Sequence, residues 1–399
     1  MTEIRKYIRG DRVIWLILLF LTLISILEVY SSIGKFAFEK AGGRTTYLIL
    51  KHSSIIVLGY VVILVISNIK YTLFSSLSKY GLYICAPLLL ITFVLGLTSG
   101  KAAGRWLDGI PIIGQFQPSE IAKMVIVIFT ARMLTLKQDA IKELTTFRSL
   151  LIPIAIIAGL IFPENFSTAA LIFLVCFLLM FIGGVRLKYW ISTLGIGIAT
   201  LLIAFIFIFP NVSMFRSDTW GNRIEEYRGK DTDALTQTNI AKMAIASGGI
   251  FGLMPGGTIQ GRMLSESHND FIYAVIIEEL GFMGGIAVLM LYFWLFYRCM
   301  RIAFKAEGMF AALTSIGLGL LIFIQALVNM GVAVNLIPVT GQTLPFISYG
   351  GTSFIFSSIS LGIILSISSE VEKKEESEKL KESEELEKDE AMAKEKIGV

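Results

Sequence analysis

Residues 13–31 read VIWLILLFLTLISILEVYS. At 1.5 Å per residue a helix of this length spans about 28 Å, the depth of a bilayer's hydrocarbon core. The run follows Arg5, Lys6, Arg9 and Arg12, as the core of a signal peptide would. It is too long for one, and no small-residue cleavage site precedes the next apolar segment, so it reads as a retained first helix. Working outward, similar runs recur near residues 53–69, 80–98, 118–135, 149–163, 167–184, 189–210, 270–296, 309–332 and 351–369. The expected fold is an all-α polytopic membrane protein of about ten transmembrane helices. A chain of 399 residues that is 55% hydrophobic and 17% charged is not a soluble domain.

An even number of spans puts both termini on one side. With the amino end inside, the short inner connections carry Lys70 and Lys79, then Arg132, Lys137, Lys142 and Arg148, then Arg186 and Lys188, then Arg298, Arg301 and Lys305. That is the inside bias expected of a multi-pass membrane protein with both termini cytoplasmic. The organisation is then a cytoplasmic terminus at 1–12, a membrane domain at 13–369 and a charged cytoplasmic tail at 370–399. A large extracytoplasmic loop, 211–269, separates helices seven and eight. The formal charge of +4 hides a split, −5 in the tail and +9 elsewhere, and gives no support for nucleic-acid binding. The tail reads as a solvated helix or a disordered segment. Outward basic residues, Lys35, Lys40, Arg44 and Lys51 and then Arg216, Arg223, Arg228, Lys230, Lys242 and Arg262, are either ordinary solvated charges or a surface that attracts an anionic lipid. Cys85, Cys176 and Cys299 lie in or beside apolar runs without metal-ligand spacing and read as packing residues.

Charges in hydrocarbon are expensive, so each one near a span needs a reason. In Gln117-Pro118-Ser119-Glu120-Ile121-Ala122-Lys123, Pro118 suits a first helical turn, and Glu120 and Lys123 share a face. They are either an internal ion pair or a cavity lysine that contacts phosphate. Upstream, Arg105-Trp106 is an interfacial anchor or a guanidinium fork for pyrophosphate. The eighth span opens Leu264-Ser265-Glu266-Ser267-His268-Asn269-Asp270 and continues to Glu278-Glu279-Leu280-Gly281. Asp270 is open to a capping role, yet this many acids exceed what a cap requires. On an ideal helix Glu278 lies about 80° and Glu279 about 180° from Asp270, so at most one of them shares its cavity. Residues 233–247 read as an amphipathic helix, and the glycines from Gly248 to Gly257 serve tight turns or cradle a phosphate with their amides. Residues 335–353, with two prolines and several hydroxyls, suggest a re-entrant loop beside the same cavity. Gln325 and Asn329 read as helix-to-helix hydrogen bonds.

Three motifs in this order, Gln117–Lys123, Asp270-Phe271-Ile272-Tyr273 with Glu278-Glu279-Leu280-Gly281, and Pro345-Phe346-Ile347-Ser348-Tyr349-Gly350-Gly351, resemble the SEDS family (shape, elongation, division and sporulation) across residues 13–369. The wording of Gly341-Gln342-Thr343-Leu344-Pro345 is closer to its division branch. The resemblance implies a peptidoglycan glycosyltransferase that polymerises lipid II at the outer membrane face during cell division. Undecaprenyl pyrophosphate would be the leaving group. It implies Asp270 as general base and Arg105, Trp106, Glu120 and Lys123 as substrate-binding residues, with Glu266 and Ser348 as further candidates in the flanking motifs. A divalent cation (Mg or Mn) is the cofactor to test, although no metal cluster is visible. Expected partners are a class B penicillin-binding protein and other membrane proteins of the division complex. Two departures stand out: Ser265 and Asn269 replace the usual Pro and Thr before Asp270, and Asn165 replaces an acid in Glu164-Asn165-Phe166-Ser167-Thr168. A lipid flippase would show inner-half charges and headgroup crossing without polymer, and a non-catalytic division scaffold would depend on the tail more than on Asp270.

Overall fold

The computed structural model describes residues 9–99, 107–110, 114–189, 191–193, 195, 237–264 and 267–397. Most of the expected seventh span (189–210), the loop up to residue 236, and Arg105, Trp106 and Glu266 lie outside the described residues.

Apart from one two-stranded ribbon, the regular elements of the described residues are helices. In order, the elements are α1 (Arg12–Ser32), α2 (Gly34–Ala41), α3 (Thr45–Ser67), α4 (Tyr71–Ser99), β1 (Leu107–Ile110), β2 (Gly114–Phe116), α5 (Pro118–Leu136), α6 (Leu144–Ile161), α7 (Phe166–Ile182), α8 (Gln237–Gly248), α9 (Ile272–Lys305), α10 (Met309–Ala333) and α11 (Gly351–Ile397). β1 and β2 pair antiparallel. Among the described residues seven helices are long and apolar enough to cross a membrane, namely α1, α3, α4, α6, α9, α10 and the first part of α11, which makes the chain a multi-pass membrane protein. α7 is apolar but shorter.

α10 is the axis of the bundle, packed against α5, α7, α9 and α11. Small residues permit the approach. A Cβ on Gly317 would stand 2.7 Å from Val127, and one on Gly319 would stand 2.8 Å from Cys299. α3 and α11 close one flank, with Gly59 facing the Phe354 ring and Gly362 facing Ile66. Cys85, Cys176 and Cys299 are buried and unbridged, in keeping with packing roles.

The two ends of the bundle differ. At one end Asp11 caps α1 through Val13 N–H (2.8 Å) and pairs with Arg298 of α9, while its own N–H donates to Ser368 Oγ (3.0 Å). α11 runs past residue 369 without a break into the tail, where Glu375 and Lys374 pair with Lys305 and Glu307. At the other end lie the start of α5, the start of α9, the end of α10 and the non-helical segment that leads into α11. Here the candidate residues meet.

Gly59→Leu forces a side chain into the Phe354 ring, where a Cβ alone would stand 2.3 Å away. The expected cost is about 1–3 kcal/mol. It is measured as a lowered melting temperature of the purified protein in detergent.

Candidate active site

Gln117 is extended and Pro118 occupies the first turn of α5, where its missing N–H has no intrahelical partner to lose. The next three residues place Glu120 and Lys123 on one inward face. Lys123 is 2% exposed; its Nζ lies 2.7 Å from Glu120 Oε1 and donates to Gln325 Oε1 of α10 at 2.9 Å. A buried ammonium is tolerable when paired and hydrogen-bonded in this way, and removing either partner would strand a charge.

Gln325 and Asn329 are one turn apart on α10. Gln325 Nε2 donates to Thr343 O (3.0 Å), and Asn329 Nδ2 donates to Gln342 O (2.8 Å) and Asp270 O (3.1 Å). Two carbonyl acceptors fix which way the Asn329 amide faces. Gln325 thus bonds helix to helix through Lys123, as the sequence suggested, and both side chains also bond to non-helical backbone, which it did not. Together they join the Lys123 pair, the segment after α10 and the backbone of Asp270.

That segment, residues 334–350, is non-helical as expected of a re-entrant loop. Its polar backbone is bonded inward. Ser348 Oγ donates to Asn269 O (2.7 Å) and accepts Leu344 N–H (2.8 Å), Tyr349 N–H donates to His268 O (2.8 Å), and Tyr292 O–H donates to Pro345 O. Ser348, a substrate-binding candidate, thus has its hydroxyl engaged in holding Asn269 and the turn. Phe346 sits at φ +64°, an uncommon conformation for a bulky residue, and is fixed there by burial and an edge contact with Phe354. Gln342 Nε2 reaches across to Thr168 Oγ1 (2.7 Å), and Asn165 caps α7 through Thr168 N–H (3.1 Å). The departure at Asn165 therefore keeps the capping that an acid would supply.

Asp270 lies in the turn before α9, whose cap position is Phe271. It is partly exposed, with Phe271, Ile272 and Tyr273 buried behind it. Gly341, at φ +72°, passes in front: a Cβ there would stand 3.8 Å from Asp270 Oδ2. The loop approaches this carboxylate with its smallest residue.

Glu278 and Glu279 do something else. Glu278 accepts from the amides of Ile259 (3.0 Å), Gln260 (2.9 Å) and Gly261 (3.0 Å) and from the Thr258 hydroxyl. Glu279 accepts from Gly256 N–H (3.0 Å), Thr258 N–H (3.2 Å) and the Ser31 hydroxyl. Both carboxylates thus anchor the glycine-rich loop. The amides from Gly256 to Gly261 do cradle anions, but the anions are the chain's own side chains. Gly252 and Gly281, both at positive φ, meet where α9 breaks, so closely that a Cβ on either would collide with the other segment's backbone. Among the described residues no three His, Cys, Asp or Glu side chains converge as a metal site, so those residues offer no protein cage for the expected divalent cation.

Fold and site together define a polytopic helical membrane protein that gathers an aspartate and a buried lysine–glutamate pair at one end of its bundle. A family model described as cell cycle protein, FtsW/RodA/SpoVE, matches residues 11–373, and the chain belongs to that family. It is 32% identical to a probable peptidoglycan glycosyltransferase FtsW of Geobacter metallireducens, over 93% of this chain and 96% of that one. It is 30% identical to stage V sporulation protein E of Bacillus subtilis, over 90% and 96%. The fold matches a chain of a peptidoglycan synthase complex solved for its coordination of polymerization and crosslinking, with a TM-score of 0.72 and 22% identity over 91% of this chain and 98% of that one. Family membership makes the chain a membrane enzyme of peptidoglycan glycosyl transfer.

Glu278→Ala removes the acceptor for the Ile259 and Gln260 amides and leaves them unpaired, while Gly261 N–H keeps the Thr258 hydroxyl oxygen at 3.0 Å. We expect hydrogen exchange at Ile259 and Gln260 to accelerate about tenfold to a hundredfold, from a loss of about 1.5–3 kcal/mol, and exchange at Gly261 to change less.

Proposed function

We propose that the chain polymerises lipid II at the outer face of the cytoplasmic membrane, with Asp270 as general base. The observation that carries this reading is a partly exposed carboxylate whose backbone is clamped by Asn329, one turn along α10 from the Gln325–Lys123–Glu120 group. Asp270 takes the proton of a sugar hydroxyl on one lipid-linked disaccharide. The oxygen attacks the anomeric carbon of the growing strand, the bond from that carbon to the pyrophosphate breaks, and undecaprenyl pyrophosphate leaves with the electron pair. Lys123 supplies positive charge toward the departing pyrophosphate while Glu120 and Gln325 hold it in place, and Arg105 adds a guanidinium from the preceding connection.

The membrane arrangement in this proposal has ten spans and both termini inside. α5 and α7 join the seven helices already named as long and apolar enough, residues 189–210 supply the tenth, and the mouth that carries Asp270 faces outward. The partner is a class B penicillin-binding protein, in line with the synthase complex whose chain shares this fold. A flippase would need polar groups lining the inner half as well. The charged end near Asp11 and Arg298 is instead closed by internal pairing.

The test is strand synthesis from lipid II by the purified protein and its partner. Asp270→Asn is expected to fall below about 1% of the wild-type rate while folding and binding its partner normally. Retained polymerisation would rule out Asp270 as the base.

A further inference from the structure

Glu28 takes no part in the site described above. It lies one turn before the end of α1, is 0% exposed, and neither carboxylate oxygen has a hydrogen-bond partner among the described residues. Glu279, also fully buried, is brought beside it by Ser31, one turn further along α1, whose hydroxyl bonds Glu279. α1 meets this region at one further point, where Ser267 Oγ donates to Ser32 O at 3.1 Å.

A bare carboxylate in a protein interior within the membrane is strongly disfavoured, and a second carboxylate beside it adds repulsion. Glu279 differs in having two backbone amides and a hydroxyl on its oxygens. Glu28 has none, so its charge must be met by something outside this hydrogen-bond network.

We propose that Glu28 and Glu279, with the Ser31 hydroxyl, form a site for one monovalent cation, a sodium ion or a proton, between α1 and the break in α9. A single positive charge between the two carboxyl groups answers both the isolation of Glu28 and its repulsion from Glu279. Two carboxylates and one hydroxyl offer fewer oxygens than the roughly six to eight that a calcium ion takes. Discontinuous helices in membranes are recurrent places for sodium ions and protons, and α9 is interrupted two residues after Glu279, at Gly281 (φ 72°, ψ −178°). The other titratable side chains buried at this end are engaged elsewhere: Lys123 pairs with Glu120, and the Tyr273 and Tyr292 hydroxyls donate to Gly285 O and Pro345 O. Glu278 holds the amides from Ile259 to Gly261, His52 bonds Ser25 Oγ at 2.8 Å, and His268 packs on Phe36 with ring centroids 4.4 Å apart. The occupant would tie α1 to the anchor of the glycine-rich loop and, through Ser267, to the segment that carries Asp270. The site stands apart from the assignment of Asp270 as base.

The experiment is thermal unfolding of the purified full chain in detergent in two series. One varies sodium chloride against choline chloride at constant ionic strength; the other varies pH in choline chloride alone. Wild-type protein is expected to gain a few degrees with rising sodium, which assigns the ion, or to lose a few degrees as pH rises in the sodium-free series, which assigns the proton. Glu28→Gln, nearly isosteric and uncharged, is expected to be flat in the series to which the wild type responds. Identical responses of wild type and Glu28→Gln in both series would overturn the proposal. So would a wild type that responds in neither, a result that stands even where the variant fails to fold.

Discussion

Non-helical backbone at membrane depth has to find its hydrogen bonds inside the protein, and this constraint organises the whole end of the bundle that carries the site. Residues 334–350 and 267–270 are both non-helical there, and they satisfy each other: Tyr349 N–H to His268 O, Ser348 hydroxyl to Asn269 O. Neighbouring helices meet further carbonyls: Tyr292 of α9 donates to Pro345 O, Ser25 of α1 to Ile347 O, and Gln325 and Asn329 of α10 to the carbonyls of Thr343, Gln342 and Asp270. The geometry of Asp270 is thus set by a helix 59 positions further along the chain. Gln325, by accepting from Lys123, brings α5 into the same arrangement.

The same constraint explains the break in α9. Interrupting a helix at Gly281 frees carbonyls and amides, and the loop from Gly248 to Gly261 returns to meet them: Leu253 N–H donates to Glu278 O, Met254 N–H to Glu279 O, and Phe282 N–H to Gly249 O. The Glu278 and Glu279 side chains then take up the loop's turning amides. Acids that look catalytic by position are the means by which an irregular loop is held against a helix. The aspartate that stays partly exposed is the one outside the helix.

The long apolar runs were legible in the sequence because hydrophobic length alone forces a span, and the boundaries of α1, α5 and α10 fall within a few residues of expectation. The Glu120–Lys123 pair was legible because three residues is one helical turn. Contacts between distant segments were not. Nothing local in Gln325 or Asn329 says that their partners lie in a loop, and glycines that can cradle an anion do not say whose anion it is. Glu28 passed without notice inside an apolar run because one acid barely changes its hydropathy. The short helix α2 and the β1–β2 ribbon carry too few residues for a pattern to emerge. The tail's lysines and glutamates suit helix and coil alike, and its continuation of α11 is plain only once Lys305 and Glu307 are seen to pair with it.

The central claim is that Asn329 acts through Asp270. A double-mutant cycle on polymerisation rate tests it most directly, comparing Asn329→Leu, Asp270→Asn and the pair in protein that melts as a folded bundle. Asn329→Leu is expected to slow the wild-type enzyme by about tenfold or more and to leave the Asp270→Asn variant no slower than before. Two effects that multiply would contradict it, because Asn329 would then contribute to catalysis independently of the carboxylate it positions.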